Sequence, residues 1–177
     1  MNFDVIVAGA GPAGSAAARE CARRGLSTLC IEEHGTIGYP VQCAGLLSTA
    51  AFEECRIASE RSVLNKVTGA RVISGAGTEL LIDATVTKAV VVDRGTLDLE
   101  MAQAAANAGA EFRLKTSVYD VRGTTVYTRG VNGPEEIGFK VLIALQFNQS
   151  PNRQDRRRRA AVVHSKGREL CALGALT

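Results

Sequence analysis

The sequence has no tryptophan, few aromatic residues and no apolar run long enough to cross a membrane. Only 5% of its 177 residues are aromatic, whereas 46% are hydrophobic and 22% are charged. No apolar stretch approaches the roughly 18 residues that a spanning helix needs, and residues 1–4 lack the basic start of a secretory signal. The composition excludes a collagen-like or wholly disordered chain and predicts a packed core in a cytoplasmic protein.

Disulfide and metal-site patterns are also missing. Five cysteines are present, at Cys21, Cys30, Cys43, Cys55 and Cys171. They form no Cys-x-x-Cys pair, and neither His34 nor His164 lies at the spacing of a metal ligand. An odd number of cysteines without a secretory signal indicates reduced thiols. We therefore predict no metal site and interpret both histidines as surface residues.

Excess positive charge is missing from most of the chain and is concentrated near its end. Residues 1–145 hold 14 Lys and Arg against 16 Asp and Glu, whereas residues 146–177 hold 7 against 2, including four arginines at 156–159. Basic tails can bind nucleic acid or an anionic membrane. These arginines have no interleaved aromatic residues and belong to no nucleic-acid motif, so we expect no nucleic-acid partner.

The strongest pattern is a strand, a glycine-rich turn, a helix and a second strand. The strands are predicted at 4–8 and 28–31, with a helix at 15–24 that Gly25 ends. The turn between them reads Gly9-Ala10-Gly11-Pro12-Ala13-Gly14. Gly9 permits the tight turn, Gly11 lets the backbone approach a diphosphate, and Gly14 lets the helix pack close to the strand. Free N–H groups at the helix start favour phosphate binding, so the pattern predicts a dinucleotide site.

An acidic residue follows the second strand. Glu32 comes 23 residues after Gly9, where a carboxylate accepts hydrogen bonds from ribose hydroxyls. Glu33 is the alternative ribose ligand if the strand ends one residue later. A carboxylate at this position disfavours the 2′-phosphate of NADP and leaves FAD and NAD as alternatives.

Three segments resemble the geranylgeranyl reductase family of flavoproteins, which includes archaeal lipid-saturating enzymes. The opening VIVAGAGPAGSAAA is similar to the FAD-binding start of glutathione-reductase-type flavoproteins. The segment IGYPVQCAGLLS at 37–48 and the element VDRGTLD at 92–98 are similar to elements of the geranylgeranyl reductases. The resemblance covers residues 3–143.

This resemblance implies FAD as the cofactor. In the family, the Pro-Val-x-Cys segment lies beside the flavin, and the arginine of the second element lies near the flavin or its ribityl chain. The motif and the resemblance together give as cofactor-binding residues Gly9, Gly11, Pro12, Ala13, Gly14, Glu32, Glu33, Cys43, Ala44, Gly45 and Arg94. From residue chemistry alone, Cys43 is a packing residue or a thiol that assists catalysis, and Arg94 is a cofactor contact or a solvated charge.

The resemblance also implies a reaction, in which reduced FAD gives a hydride to an isoprenoid double bond. An isoprenoid or polyprenyl lipid is then the expected substrate, with peripheral contact at the inner face of the membrane and an external electron donor that the sequence does not identify. A flavin monooxygenase and a non-catalytic nucleotide-binding remnant are the alternatives.

The expected fold is α/β, a Rossmann-like FAD/NAD(P)-binding domain with three layers (β/β/α) and inserted strands, truncated relative to the family. Thr96 is expected to cap a helix at 97–108 that Gly109 ends. Strands are predicted at 67–74, 80–83, 85–92, 110–114, 118–122, 124–129 and 137–143. Strands inserted after the second parallel strand favour a flavoprotein with a substrate-binding sheet over a plain dehydrogenase.

Residues 1–144 are predicted to form the FAD-binding domain with part of an inserted substrate sheet, and residues 145–177 a basic, disordered tail. The family continues after its Val-Leu-Ile strand with Gly-Ala-Asp-Gly and a large substrate region, whereas this chain continues with LQFNQSP at 145–151. A shifted reading frame in the gene explains both this departure and the change in charge. A genuine basic tail and a naturally short paralogue are the alternatives.

Because the segment that closes the FAD site in the family is not matched, we predict that the purified chain contains little bound flavin. The measurement is the visible absorbance of oxidised flavin relative to the protein concentration. Stoichiometric flavin in the isolated chain would contradict this prediction.

Overall fold

The computed structural model describes residues 1–41, 43–57, 60–145, 161–164 and 170–171, the last two segments by their backbone alone. The helices are α1 (Pro12–Arg23), α2 (Thr49–Glu54) and α3 (Arg94–Asn107). The strands are β1 (Asn2–Ala8), β2 (Thr28–Ile31), β3 (Leu46–Ser48), β4 (Val63–Val67), β5 (Gly69–Ile73), β6 (Glu79–Asp83), β7 (Ala89–Val92), β8 (Glu111–Arg113), β9 (Ser117–Arg122), β10 (Thr125–Gly130), β11 (Gly133–Ala144), β12 (Ala161–His164) and β13 (Leu170–Cys171).

Four parallel strands form the centre of the main sheet, in the order β8-β2-β1-β11. Ala8, the last residue of β1, is paired with Ile31 of β2 and with Ala144 of β11. The carboxyl ends of these strands therefore meet at one edge of the sheet. All four residues of β2 are buried, as expected for a parallel strand that is covered on both faces. Ligands of open α/β sheets bind outside this edge.

The two faces of the sheet are covered by different layers. On one face, Val5 and Val7 of β1 pack in a cluster with Ala18 of α1 and Ala105 of α3. On the other face, Ile6 packs in a second cluster formed largely by the antiparallel strands β10 and β11. The main sheet thus lies between a layer of strands and a layer of helices, which confirms the predicted β/β/α arrangement. From Val5 to Val7, the side chains alternate between the two faces, as the period of a strand requires.

The inserted segment between β2 and β8 forms two small sheets. One has the order β3-β7-β4, and the other is the antiparallel hairpin β5–β6. In the hairpin register, Ala70 pairs with Ile82 and Val72 with Leu80, so these four residues share one face. Val72, Leu80 and Ile82 are 48–59% exposed. The hairpin thus presents an apolar face to solvent.

Helix α3 begins earlier than the sequence predicted. We expected Thr96 to cap the helix, but the N-cap is Asp93 and the first turn contains Arg94. The Asp93 carboxylate accepts hydrogen bonds from the Gly95 N–H (3.0 Å) and the Thr96 hydroxyl (2.8 Å). Asp is a strong N-cap residue, and it competes successfully with the threonine three positions later. Gly109, with φ of 102°, ends the helix as predicted.

The inserted strands also differ from the prediction. The strand expected at 85–92 is confined to Ala89–Val92. Thr85 cannot belong to it, because its positive φ of 56° is incompatible with a strand. Helix α2 was not predicted. It is capped by Ser48, whose hydroxyl accepts a hydrogen bond from the Ala51 N–H at 3.1 Å, and its six residues are too few to show a helical period.

The predicted basic tail lies mostly outside the described residues, as do Arg156, Arg157, Arg158 and Arg159. Within it, β12 pairs antiparallel with β11, and β13 pairs with β12. These six residues are strands where we expected disorder. In the part of the chain that the structure describes, no helix is long and apolar enough to span a membrane.

The close contact of α1 with β1 leads to a test of stability. We expect Gly14→Ala to lower the free energy of unfolding by about 2–3 kcal/mol, the cost of overpacking, because its Cβ would overlap the carbonyl oxygen of Gly9. The matched control is Gly75→Ala, whose Cβ would have no heavy atom within 4 Å; it should change stability by about 0.5 kcal/mol or less. Urea denaturation measures both, and equal effects would contradict the packing argument.

Candidate functional site

The glycine-rich turn connects β1 to α1 at the carboxyl edge of the sheet. Gly9 has φ of 102°, and its N–H donates to the Ile31 carbonyl at 2.8 Å. Gly11 is the N-cap of α1 and Pro12 its first residue. Because Gly11 has no side chain, it cannot supply the oxygen with which Ser or Asp usually caps a helix. The turn thus leaves the first N–H groups of α1 available to an anion.

Gly11 and Gly14 have different roles in this turn. A Cβ at Gly14 would overlap the backbone of Gly9, whereas a Cβ at Gly11 would have no heavy atom within 4 Å. Gly14 is therefore required by the packing of the protein itself. Gly11 borders open space directly in front of the helix, the position that the motif assigns to a diphosphate.

Glu32 connects the end of β2 to the glycine-rich turn. Its side chain is only 7% exposed, and its Oε2 accepts a hydrogen bond from the Ala10 N–H at 2.8 Å. Its Oε1 accepts one from the His34 N–H at 3.0 Å and lies 2.6 Å from His34 Nδ1. Glu33 is more exposed and lies farther away, with its Oε1 at 3.9 Å from His34 Nε2. Glu32 thus forms a hydrogen bond with the turn itself, whereas Glu33 lines a crevice that also contains Gly9.

His34 was interpreted from the sequence as a surface residue without a functional partner. Its side chain is 41% exposed, but the imidazole contacts the Glu32 carboxylate. In the sequence, the only indication of this contact is that Glu32 and His34 are two residues apart after the end of a strand. That spacing is too common in loops to predict a contact. The structure describes His164 only by its backbone.

The loop after Glu33 packs against the first turn of α3. Gly38, at φ of 80°, lies so close to Gly95 that a Cβ there would be 2.8 Å from the Gly95 Cα. A Cβ on Gly95 would in turn be 2.8 Å from the Tyr39 ring. Gly45, at φ of 74°, packs against the Val92 carbonyl and accepts a hydrogen bond from the Val92 N–H at 2.9 Å. These contacts place the loop at the start of α3.

This packing brings Cys43 beside Arg94. The Gly45 backbone N–H and the Arg94 guanidinium form hydrogen bonds that lower the pKa of the exposed Cys43 thiol. Arg94 donates from Nε and Nη2 to the two carboxylate oxygens of Asp98, at 3.0 and 3.1 Å, and this pairing raises the pKa of Arg94. Burial raises the pKa of Asp98, and Arg94 offsets part of that effect. Cys43 is therefore a thiol with enhanced thiolate character.

A single open cleft of about 270 Å³ connects the turn to this thiol. It is lined by Ala10, Gly11, Pro12, Glu32, His34, Gly38, Tyr39, Pro40, Val41, Cys43, Arg94 and Asp98. Five of the residues predicted from the sequence line this cleft: Gly11, Pro12, Glu32, Cys43 and Arg94. Gly9 and Glu33 line a smaller crevice with the segment 116–118. Ala13 and Ala44 line neither, and Gln42 lies outside the described residues.

Comparison with known proteins identifies the family of the chain. Residues 4–144 match the family of FAD dependent oxidoreductases. The chain belongs to this family. The cofactor of the family is FAD, and the flavoprotein expectation from the glycine-rich turn and Cys43 segment is confirmed, as is the predicted likeness to geranylgeranyl reductases.

Two curated relatives show how much of the oxidoreductase this chain represents. It is 35% identical over 153 residues to a Methanosarcina barkeri protein named an uncharacterized protein in the nifH2 5′ region, matching 80% of this chain and 81% of that protein. It is 38% identical over 125 residues to the digeranylgeranylglycerophospholipid reductase of Thermoplasma acidophilum, matching 68% of this chain and 32% of that enzyme. The chain thus spans about a third of the length of that reductase.

A solved structure supports the same assignment. The crystal structure of a geranylgeranyl bacteriochlorophyll reductase-like protein from Thermoplasma acidophilum superimposes with a TM-score of 0.75 at 32% identity. The match covers 82% of this chain and 39% of that protein. The Rossmann-like fold and its truncation relative to longer family members are therefore both confirmed.

The residues of the oxidoreductase fit the adenosine diphosphate portion of FAD. The free space at Gly11 is adjacent to the start of α1, where a diphosphate binds favourably. A nearly buried carboxylate, Glu32, lies at the end of β2 and is held by the Ala10 N–H. This donor and acceptor set matches a diphosphate followed by a ribose.

The Cys43 environment gives a test by alkylation. Because its pKa is lowered, Cys43 is more thiolate at pH 7 than an ordinary exposed cysteine, and iodoacetamide should modify it first. Replacing Arg94 and Asp98 together, by Arg94→Gln and Asp98→Asn, removes the guanidinium without leaving an unpaired buried carboxylate. We expect alkylation at pH 7 to slow about threefold or more, and its pH profile to move to higher pH.

Peptide mass spectrometry quantifies the alkylation of each cysteine. The exposed Arg71 ion-pairs with Glu79 on the β5–β6 hairpin, which contributes no residue to the cleft, and Arg71→Gln is the control that should leave the rate unchanged. An unchanged Cys43 profile in the double variant would show that Arg94 has no effect on the thiol.

Proposed function

We propose that this oxidoreductase binds FAD along the cleft from Gly11 to Cys43 and that it is the nucleotide-binding part of a reductase acting on isoprenoid double bonds. The observation that supports this most directly is the single cleft, which has a phosphate-binding turn at one end and an Arg-paired thiol at the other. The family cofactor has the same two ends, a dinucleotide diphosphate and a redox-active ring.

The adenosine half of FAD is assigned to the sheet edge. The diphosphate is placed against Gly11 and the first turn of α1, where the helix dipole stabilises negative charge. The adjacent ribose is placed at Glu32, which accepts hydrogen bonds from its hydroxyls. The adenine then continues toward the crevice beside Glu33 and residues 116–118.

The flavin half is assigned to the other end of the cleft. FAD supplies hydride transfer when it is bound and reduced. Arg94 places a positive charge at this end, held in position by two hydrogen bonds to Asp98. Cys43 contributes an exposed thiol whose pKa is lowered by hydrogen bonds from the Gly45 N–H and Arg94, so that it gives up its proton more readily than an ordinary cysteine. Cys43 is thus our proposed catalytic residue, and Ala44 and Gly45 position it.

The proposed substrate is an isoprenoid or polyprenyl lipid. Support comes from two similar proteins, of which one is a digeranylgeranylglycerophospholipid reductase and one is geranylgeranyl bacteriochlorophyll reductase-like. Such a substrate is membrane-associated, so the proposal includes peripheral contact with a membrane surface and an electron donor outside this chain.

A non-catalytic nucleotide-binding protein is the second candidate. It is favoured by the extent of the match, because the chain spans only about a third of the matched reductase. Both candidates use the same adenosine site. They differ in turnover: only the reductase returns chemically reduced FAD to its oxidised form when an isoprenoid lipid is added, because the double bond takes up the hydride and a proton.

Gly11 gives the sharpest test of the cofactor site. Gly11→Ala should leave the melting temperature within about 2 °C, because the added Cβ meets no protein atom within 4 Å and the residue's φ of −68° suits any amino acid. The same methyl group would occupy the proposed diphosphate position. We therefore expect the affinity for FAD to fall about tenfold or more. The measurement is a titration of FAD with the protein, followed by the change in flavin fluorescence.

The matched control for this titration is Gly75→Ala, which adds the same methyl group in open space far from the cleft in sequence. It should bind FAD like the unchanged chain. If Gly11→Ala binds FAD with unchanged affinity, the diphosphate does not lie at this turn and the proposed site is wrong.

A further inference from the structure

The contact between His34 and Glu32 is not explained by the cofactor site as proposed. Glu32 is nearly buried, and its carboxylate makes three contacts within the chain. Oε2 accepts from the Ala10 N–H, and Oε1 is shared by the His34 N–H and His34 Nδ1. The shortest of the three, at 2.6 Å, is the one to the imidazole.

The remaining capacity of this carboxylate is too small for a ribose diol. An ionised carboxylate offers about four acceptor positions, and three are in use. One position is left for two vicinal hydroxyls. If the imidazole moves away, Oε1 can accept from the ribose while the two backbone N–H groups keep the carboxylate in place.

We propose that the His34 imidazole is a displaceable competitor for the ribose, which occupies Glu32 Oε1 when the cleft is empty and moves aside when the nucleotide binds. This inference rests on the proposed function of the cleft. It makes His34 a determinant of nucleotide affinity, a role different from that of a cofactor ligand.

The local backbone allows this movement of the side chain alone. The His34 N–H is held by Glu32 Oε1, and the His34 carbonyl accepts a hydrogen bond from the Lys115 N–H at 3.0 Å. The backbone of His34 is thus fixed on both sides. The imidazole is 41% exposed, so it can rotate toward solvent without movement of the turn or of β2.

Charges around the imidazole set the direction of a pH effect. The carboxylates of Glu32 and Glu33 face it from its own segment. Lys115, in the β8–β9 connection, lies with its side chain over Gly35. The groups that line the same cleft are Arg94, Asp98 and Cys43. A protonated imidazole pairs with Glu32 more strongly than a neutral one. The protonated imidazole therefore stabilises the closed arrangement more than the neutral one, and a lower pH should favour that arrangement over nucleotide binding.

The test uses the full chain and ADP-ribose, a probe that contains the adenosine diphosphate portion without a flavin. Its diphosphate diester keeps a constant charge between about pH 5.5 and 8, the interval in which histidine changes charge. Isothermal titration at several pH values compares the unchanged chain with His34→Ala, which keeps the backbone N–H donor, and with His34→Asn, which keeps a neutral side-chain donor. His164→Ala is the control for loss of the other histidine.

At pH 5.5 we expect His34→Ala to bind ADP-ribose about three- to tenfold more tightly than the unchanged chain, an effect kept small because the partly exposed ion pair is screened by solvent. At pH 8 the two affinities should agree within about twofold. The pH dependence should disappear in His34→Ala and in His34→Asn and should persist in His164→Ala. A contribution from Cys43 or Lys115 would instead leave the pH dependence in all variants.

Weaker binding by His34→Ala, or an unchanged pH profile, would overturn the inference and leave the cofactor site intact, because the probe would still bind. Absence of ADP-ribose binding in every variant, at pH 8 and with a folded chain by circular dichroism, would overturn the proposed function and the inference with it.

Discussion

The contact of Gly14 with the Gly9 carbonyl is the constraint on which the site depends. It lets α1 start close to the end of β1, so that the helix N-terminus is directed at the carboxyl edge of the sheet. Any side chain at Gly14 would push the helix away and remove the alignment of its N–H groups with the cleft. The hydrogen bond from Ala10 to Glu32 then joins the same turn to β2. Two strands and one helix thus share a single rigid corner.

The cleft that starts from this corner is electrostatically polarised. One end combines the dipole of α1 with the buried carboxylate of Glu32, an arrangement suited to phosphates next to hydroxyl groups. The other end combines Arg94 with Cys43, and the ion pair with Asp98 keeps the guanidinium from turning elsewhere. Glycines permit the close packing at both ends. Gly14 packs on Gly9 at the first end, and Gly38, Gly45 and Gly95 permit the loop to reach α3 at the second.

Much of this arrangement could be predicted from the sequence. The Gly9 to Gly14 spacing, the strand at 28–31 and the acid after it form a local pattern, and the parallel strands and helices followed from it. The predicted start of α3 was wrong because Asp93 and Thr96 are both good caps, and the Asp93 carboxylate accepts hydrogen bonds from the Gly95 N–H and from the Thr96 hydroxyl itself. The pairing of Arg94 with Cys43 brings together residues 51 positions apart, and the resemblance, rather than their spacing, placed both near the flavin.

The exposed hairpin β5–β6 has a consequence for the behaviour of the chain in solution. Two-stranded sheets are marginally stable by themselves, and here each strand has one unpaired edge within the sheet that the structure describes. Free edges next to the apolar residues Val72, Leu80 and Ile82 form a template onto which another strand can add. The opposite face carries the charged residues Arg71, Glu79 and Asp83 beside the exposed Ile73 and Leu81, and charges next to a free edge oppose the addition of another strand.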